Sequence, residues 1–188
     1  MDVRRLPPFR DVLVIEPDVY GDDRGFFLET WQRDRYAEAG VAGPFVQDNH
    51  SRSMRGVLRG LHFQMPRPQG KLVQVLRGQV FDVAVDVRIG SPTFGRWAGC
   101  RLSDDDHRQM WVPEGFAHGF VALSDRADVH YKCTDFYAPE AERTLRWDDP
   151  DVGVDWPIDE PVVSEKDAGG ASLEALKEAG HLPEAERA

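Results

Sequence analysis

The residues best suited to chemistry stand together in one short segment, Arg59-Gly60-Leu61-His62-Phe63-Gln64. Its apolar residues predict an extended strand. Because side chains alternate between the two faces of a strand, Leu58, Gly60, His62 and Gln64 are predicted to share one face. A face that mixes apolar and polar groups is typical of a strand that lines a ligand cavity. The simpler alternative is a half-exposed histidine on an amphipathic strand.

His62 could act as a general base, because imidazole titrates near neutral pH. Such a base needs a neighbour that fixes which ring nitrogen is free to accept a proton. Asp82, Asp86 and Asp167 are candidate partners, and their spacing does not distinguish them. Asp82 and Asp86 share one face of a predicted strand, so a solvated surface and a polar cavity wall are equally compatible with the pattern.

Two further residue types could complete an acid–base site. Tyr131 and Tyr137 lie on a late strand-like segment, where tyrosines mostly serve packing. Either of them would form an acid–base pair if it faced His62 across a cavity. Lys71 is the first residue of another predicted strand, and it would stabilise an enolate if it pointed inward rather than into solvent.

The histidines do not form a convincing metal site. Metal-binding β-barrels often use a His-x-His pair with later ligands, but Phe63 and Gln64 follow His62. His118 is a distant possible partner, and two histidines without a third ligand nearby make a poor site. The sequence therefore predicts no bound metal.

The elements that must position these residues are short strands separated by turns. Short helices are predicted at residues 32–39 and 173–179, an irregular stretch at 139–161, and fraying at 183–188. Many short strands at close spacing predict an all-β barrel or sandwich. The predicted strands are residues 11–16, 26–31, 44–51, 71–76, 79–87, 93–102, 109–112, 117–123 and 127–136.

The composition, 41% apolar and 30% charged, is typical of a soluble globular protein, and 188 residues suffice for a sizeable core. A net charge of -10 argues against general binding to nucleic acid or anionic membranes, although a local basic pocket could bind a small anion. Cys100 and Cys133 fit no metal or disulfide pattern and suit a reducing cytoplasm. No signal segment is predicted, and no apolar run reaches the roughly 20 residues of a membrane helix.

Seven segments together resemble the motifs of the dTDP-4-dehydrorhamnose 3,5-epimerases. They follow one another in the family's order between about residues 10 and 180, and the ordered set is far more specific than any one motif. In chain order they are Asp23-Arg24-Gly25-Phe26-Phe27-Leu28-Glu29, Arg59-Gly60-Leu61-His62-Phe63-Gln64, Gly90-Ser91-Pro92-Thr93-Phe94-Gly95, Pro113-Glu114-Gly115-Phe116-Ala117-His118-Gly119-Phe120, Tyr131-Lys132-Cys133, Asp155-Trp156-Pro157 and Ser164-Glu165-Lys166-Asp167.

The resemblance implies a cupin-type jelly-roll barrel with short peripheral helices that forms a homodimer and uses no metal or other cofactor. Residues 1–188 would then be a single domain, with a core at about 10–168 and a short helix and tail at about 169–188. The implied reaction inverts C3 and C5 of dTDP-4-keto-6-deoxy-D-glucose and gives dTDP-4-keto-L-rhamnose. Both carbons flank the C4 ketone, so their protons are acidic.

The resemblance also implies roles for individual residues. His62 matches the base, Asp167 the carboxylate that orients it, and Tyr131 the acid on the opposite face. Lys71 matches the group that supports the enolate oxygen, and Tyr137 the aromatic that stacks on thymine. The positions that match nucleotide-sugar contacts are Arg24, Phe27, Glu29, Gln47, Asp48, Asn49, Arg59, Lys71, His118, Glu142 and Lys166. The arginines among them suit a pyrophosphate.

Three other functions compete with the double epimerase. A monoepimerase that inverts only C3 or only C5, as in antibiotic deoxysugar pathways, would resemble the same family and keep the same residues. A non-catalytic sugar-binding cupin would not need His62, Tyr131 and Lys71 together. A metal-dependent cupin oxygenase would contain stoichiometric iron.

Overall fold

The structure is a computed structural model, and it describes residues 1–41 and 43–185. Short strands dominate it, which confirms the all-β prediction. The strands are β1 (Asp2–Arg5), β2 (Leu13–Glu16), β3 (Val19–Asp22), β4 (Gly25–Leu28), β5 (Gln47–Met54), β6 (Leu58–Gln64), β7 (Lys71–Arg77), β8 (Gln79–Asp86), β9 (Trp97–Ser103), β10 (Gln109–Val112), β11 (Phe116–Ala122), β12 (Arg126–Cys133) and β13 (Glu142–Thr144). The helices are α1 (Arg33–Glu38), α2 (Glu165–Ala168) and α3 (Leu173–Glu178).

Two antiparallel sheets build the body of the protein. The larger has the strand order β1-β2-β10-β7-β12-β5, and the smaller has the order β13-β6-β11-β8-β9. The apolar core between them includes Val14, Val73 and Val129 from the larger sheet and Ala84 and Phe120 from the smaller one. Strands β3 and β4 form a separate hairpin.

The outer faces of both sheets are also covered. Leu173, Leu176 and Leu182 of the C-terminal segment pack on the smaller sheet, and Tyr36 of α1 packs on the larger one. Trp156 contributes to the first of these clusters, and its indole N–H donates to the backbone oxygen of Trp147 at 2.9 Å. Burial on both faces fixes the register of the strands, since a one-residue slip would exchange the two faces.

Some elements differ from the prediction. Strands β1 and β3 were not predicted, because all of their residues are exposed and show no apolar alternation. Strand β9 begins at Trp97 rather than Thr93, because the Thr93 hydroxyl donates to Asp86 at the end of β8 and the Thr93 oxygen accepts the Arg96 N–H, which holds residues 93–96 in a turn. Strand β13 lies within the stretch predicted to be irregular and pairs with β6.

The C-terminal residues are ordered as far as the structure describes them. The Ile89 N–H donates to the Pro183 oxygen at 2.8 Å, and the Ala185 N–H donates to the Ile89 oxygen at 2.9 Å. The prediction that residues 183–185 fray is therefore wrong, and residues 186–188 lie outside the described part. Within residues 1–41 and 43–185, no helix has the length and apolar character needed to cross a bilayer.

Candidate active site

A β-bulge in β6 brings Arg59 and His62 to the same side of the strand. His118 of β11 pairs with His62, and Phe120 pairs with Arg59, so β6 holds one extra residue between these pairs. Both Arg59 and His62 line one cavity, although residues three apart would face opposite sides of a regular strand. The predicted continuous face from Leu58 to His62 is therefore wrong.

Gly60 makes the bulge possible. Its φ is +117°, a conformation that side chains disfavour, and an added Cβ would lie 2.7 Å from both the Gly119 Cα and the His118 oxygen. The two backbones therefore approach more closely than any side chain at Gly60 would allow. This contact sets the distance between β6 and β11, which carry His62 and His118.

Asp167 is the partner of His62. Its Oδ1 lies 2.6 Å from the His62 Nε2, and its Oδ2 accepts the Gly60 N–H at 3.3 Å. The Asp167 N–H donates to the Ser164 hydroxyl, which caps α2 and fixes the position of the carboxylate. Burial alone would raise the pKa of Asp167, but the hydrogen bonds from His62 and Gly60 lower it overall, so Asp167 is an ionised acceptor.

The other two candidate partners of His62 are occupied elsewhere. The Asp82 Oδ1 lies 2.8 Å from the His118 Nε2, and both side chains are buried. Asp86 accepts hydrogen bonds from Arg88, Ser91 and Thr93. Both carboxylates are fully buried, so the alternative of a solvated strand face is wrong.

Lys71 and Tyr131 also line the cavity that His62 faces. Burial lowers the pKa of Lys71, and the nearby carboxylates of Glu142 and Asp82 oppose that fall. Burial raises the pKa of Tyr131, so its phenol is protonated at neutral pH. The cavity therefore offers a protonated phenol together with a buried lysine amine.

Glu142 organises a second polar group at the edge of the cavity. Its Oε2 accepts from the Tyr137 hydroxyl at 2.8 Å and lies 2.5 Å from the Lys166 Nζ. Burial would raise the pKa of Glu142, but the hydrogen bonds from Lys166 and Tyr137 lower it overall, so Glu142 is a carboxylate. Tyr137 itself is half exposed and does not line the cavity.

The cavity has a volume of about 310 Å³ and contains eight of the predicted site residues. Although the protein has a net charge of -10, Arg59, Lys71 and Lys166 give this cavity basic side chains that suit a small anionic ligand. The predicted residues that line it are Arg59, His62, Lys71, His118, Tyr131, Glu142, Lys166 and Asp167. A larger recess of about 710 Å³ lies elsewhere, around Pro8, Trp111 and Pro113, and none of the predicted site residues lines it.

Four lining residues were not predicted, namely Ser51, Gly119, Phe120 and Ser164. Ser51 follows the alternation that sets Gln47 and Asn49 on one face of β5, so extending that pattern by two residues would have found it. The Ser-x-x-Asp spacing before α2 is a helix-capping pattern and would have indicated Ser164.

Three predicted contact residues lie on or beside the β3–β4 hairpin, away from this cavity. The Arg24 side chain is 89% exposed and binds Asp22, and Phe27 is 68% exposed. Glu29 forms an ion pair with Arg35 at 2.9 Å. Within the single described chain, the hairpin therefore does not meet the residues around His62.

The remaining three predicted contacts lie on β5 outside the cavity lining. The Gln47 amide donates to the Asn49 side chain at 3.1 Å, and the Gln47 Oε1 accepts the Tyr137 N–H at 2.9 Å. Asp48 faces the other side of the strand and binds Lys132 at 2.9 Å. Gln47 and Asn49 thus share one face as predicted, and Gln47 supports the backbone next to Tyr137.

Known proteins match this chain over most of its length. The family model described as dTDP-4-dehydrorhamnose 3,5-epimerase matches residues 7–175. The dTDP-4-dehydrorhamnose 3,5-epimerase of Pseudomonas aeruginosa is 60% identical over 165 residues, which cover 87% of this chain and 91% of that protein.

Solved structures match equally well. The dTDP-6-deoxy-D-glucose-3,5-epimerase of Legionella pneumophila, in complex with dTDP-4-keto-L-rhamnose, aligns with a TM-score of 0.94 and 50% identity over 99% of both chains. A 3'-monoepimerase of Streptomyces bikiniensis, in complex with dTDP-quinovose, aligns with a TM-score of 0.90 and 35% identity, covering 96% of this chain and 93% of that one.

These matches confirm the cupin-type fold and the family that the seven motifs predict. They cover the strands that carry His62, Lys71, His118 and Tyr131, and the family model extends past Asp167. The chain belongs to the dTDP-4-dehydrorhamnose 3,5-epimerase family, whose members are nucleotide-sugar isomerases.

Proposed function

We propose that this protein inverts C3 and C5 of dTDP-4-keto-6-deoxy-D-glucose and releases dTDP-4-keto-L-rhamnose, with no metal or other cofactor. The observation that carries the proposal is the His62–Asp167 pair, 2.6 Å apart, beside a cavity that Tyr131 and Lys71 also line. A base, an acid and an enolate stabiliser are the groups that epimerisation next to a ketone requires.

His62 is the base in this mechanism. Ionised Asp167 can only accept hydrogen bonds, so the proton of the neutral imidazole lies on Nε2 and the lone pair lies on Nδ1. Nδ1 takes the proton from the carbon next to the C4 ketone, and the resulting imidazolium is stabilised by Asp167. The electron pair of the C–H bond moves into the enolate, whose oxygen the Lys71 ammonium stabilises.

Tyr131 is the acid. Its protonated phenol delivers a proton to the opposite face of the same carbon, which inverts the configuration. His62 then loses its proton to solvent, and Tyr131 regains one, so both groups return to their starting states. The same sequence at the second carbon completes the double epimerisation.

The sugar nucleotide is anionic, and the cavity supplies cations for it. Arg59 and Lys166 line the same cavity as His62, Lys71 and Tyr131. The guanidinium of an arginine such as Arg59 can bind two phosphate oxygens at once. Glu142 and His118 are then positioned for the polar groups of the ligand. The 60% identity to a named 3,5-epimerase, against 35% to a 3'-monoepimerase, supports inversion at both carbons.

The test is proton NMR of the 4-keto sugar nucleotide in deuterated water, with a rhamnose-forming reductase to trap the product. Deuterium at C3 and C5 with trapped dTDP-L-rhamnose is the expected result. Deuterium and inversion at one carbon would instead support the monoepimerase, and no exchange would contradict both. His62→Ala should abolish exchange, whereas His50→Ala, on the exposed outer face of β5, should not.

We also infer that the protein is cytoplasmic and acts as a homodimer. In this dimer, the β3–β4 hairpin of one subunit faces the cavity of the other. Tyr20, Phe26 and Phe27 expose 61–68% of their surface on that hairpin, and such apolar patches mark interaction sites. This arrangement would give Arg24 and Glu29 the ligand contacts that the family resemblance implies.

Mixing two inactive variants tests this arrangement. If each site uses residues of both subunits, a dimer of one His62→Ala chain and one Arg24→Ala chain has one site with both defects and one intact site. Refolding the two variants together should then restore about a quarter of the full activity. No recovery, or a monomer in analytical ultracentrifugation, would contradict the inference.

A further inference from the structure

A buried glutamine of β6 holds the backbone on both sides of Tyr137. The Gln64 Oε1 accepts the Ala138 N–H at 2.8 Å, and the Gln64 Nε2 donates to the Phe136 oxygen at 3.3 Å. The same nitrogen also donates to the Arg67 oxygen at 2.7 Å. All three hydrogen bonds thus join β6 to backbone atoms outside the strand. The proposed mechanism gives Gln64 no task, although the motif that carries the base ends with it.

Tyr137 itself is held at two further points. Its N–H donates to the Gln47 Oε1 at 2.9 Å, and its hydroxyl donates to the Glu142 Oε2 at 2.8 Å. Glu142 is the residue of β13 that pairs with Gln64, so the backbone and the hydroxyl of the tyrosine are both fixed against the same point of β6. Tyr137 is nevertheless half exposed. These bonds therefore hold in place an aromatic ring that is open to a ligand.

An exposed aromatic ring that is fixed in this way is suited to stack on a nucleobase. Such stacking strengthens binding by about 5- to 150-fold. A ring that is already in place loses less conformational freedom when the base binds. Glu142, which holds the Tyr137 hydroxyl, lines the cavity that contains His62. The ring therefore lies at the edge of the cavity that is proposed to bind a sugar nucleotide.

Strand β6 carries both the proposed base and the residue that holds this ring. His62 and Gln64 pair with Thr144 and Glu142 of β13 in regular register. Residues two apart on a regular strand face the same side and are separated by about 6–7 Å. The strand therefore sets the separation between the imidazole and the backbone contacts that hold Tyr137.

We propose that Gln64 is a positioning residue for nucleobase recognition, which holds Tyr137 so that the base stacks on its ring while the sugar reaches His62. The hold on Tyr137 is a property of the folded protein alone. The identity of the base rests on the proposed function, in which it is the thymine of the sugar nucleotide. Strand β6 then positions both ends of the substrate.

Binding of dTDP, measured by calorimetry, tests this role. Gln64→Met keeps the length of the side chain but removes all three hydrogen bonds, and it should weaken dTDP binding about tenfold. Its affinity for inorganic pyrophosphate, which has no base, should not change. Asp149→Asn is the control, since Asp149 is also buried and accepts the backbone N–H groups of Asp151 and Leu173, outside the cavity. The control should bind dTDP within about twofold of normal.

A double-substitution cycle separates positioning from a general structural effect. Tyr137→Ala alone should weaken dTDP binding at least as much as Gln64→Met does, because it removes the ring. In the Tyr137→Ala protein, Gln64→Met should then add less than about a twofold loss. A further tenfold loss there would overturn the proposal. Unchanged dTDP affinity in a folded Gln64→Met protein would overturn it as well.

Hydrogen exchange of the unaltered protein tests the hold on Tyr137 without any variant. The amide hydrogens of Tyr137 and Ala138 should exchange at least about 100-fold more slowly than those of an unstructured chain, because glutamine side chains accept both. Exchange of both amides at the rate of an unstructured chain would overturn the proposal.

The outcomes separate this inference from the proposed function. A protein that binds dTDP through Gln64 and Tyr137 but does not exchange substrate protons would refute the proposed function and leave the role of Gln64 standing. An active double epimerase whose Gln64→Met variant binds dTDP normally would refute the role of Gln64 alone. A protein that does not bind dTDP would refute both.

Discussion

Asp167→Asn is the most informative single substitution at the His62 pair. The two Asp167 oxygens accept one hydrogen bond each, from the His62 Nε2 at 2.6 Å and the Gly60 N–H at 3.3 Å. An asparagine has one acceptor oxygen and one NH2 group, so it cannot accept from both. It also removes the negative charge that stabilises His62 after the base has taken a proton.

The size of the effect follows from the exposure of the pair. The same change in the buried Ser-His-Asp triad lowers kcat by about 10⁴, or about 5.5 kcal/mol. Here 26% of the His62 side chain is exposed, so water can partly replace the lost charge. We therefore expect kcat to fall by about 10² to 10³, which corresponds to about 3–4 kcal/mol of transition-state stabilisation.

The assay is the initial rate of deuterium incorporation at C3 and C5, measured by proton NMR at saturating substrate. Asp149→Asn, a buried carboxylate outside the cavity, is the control and should exchange at nearly the normal rate. Urea unfolding of both variants separates loss of the base from loss of the fold. A folded Asp167→Asn protein with kcat within threefold of normal would refute the role of Asp167.

Three further substitutions test other parts of the structure. Tyr131→Phe should keep part of the exchange but impair inversion, since abstraction can proceed without the acid; full epimerisation, read from trapped product, would remove Tyr131 from the mechanism. Gly60→Ala should destabilise the protein by about 2–4 kcal/mol in urea unfolding, from its positive φ and the 2.7 Å approach to Gly119; an unchanged midpoint would contradict the close contact. Asp86→Asn should cost about 2–3 kcal/mol at pH 7, because the partly buried Arg88 keeps only Asp11 of its two carboxylate partners. Burial alone would raise the pKa of Asp86, but the hydrogen bonds from Arg88, Ser91 and Thr93 lower it overall to below its value in the unfolded chain. The stability that the carboxylate contributes is therefore present at pH 7 and lost on acidification, so the cost of Asp86→Asn should shrink below about pH 4. Equal costs at pH 7 and pH 3 would contradict this prediction.

The sequence predicts the fold wherever local pattern and burial agree. Strand β8 alternates as expected, with Val83 and Val85 in the outer cluster and Ala84 in the inner core. Strands β1 and β3 escape prediction because pairing with a neighbour, rather than any apolar pattern, holds them in place. Helix α1 follows its predicted range, and the Gln32 side chain caps it.

The sequence predicts which residues form the site better than it predicts which of them contact one another. The partner of His62 comes from 105 positions away, and only the fold brings Asp167 to it. The single extra residue at Gly60 places Arg59 beside His62, against regular alternation. A bulge depends on the pairing of two strands, so β6 alone carries no sign of it except the glycine itself.

The His62–Asp167 pair also makes catalysis depend on a segment near the C-terminal end of the chain. Asp167 reaches His62 only when Val162 pairs with Gly56 and Leu58, at 2.8 and 2.9 Å, and the following turn places α2 over β6. The barrel strands all precede residue 145, so they can assemble before this segment docks. Brief detachment of the segment would leave His62 unoriented while the barrel stays folded. Activity therefore reports on the docking of the C-terminal segment, and mild denaturant should abolish turnover before it melts the sheets.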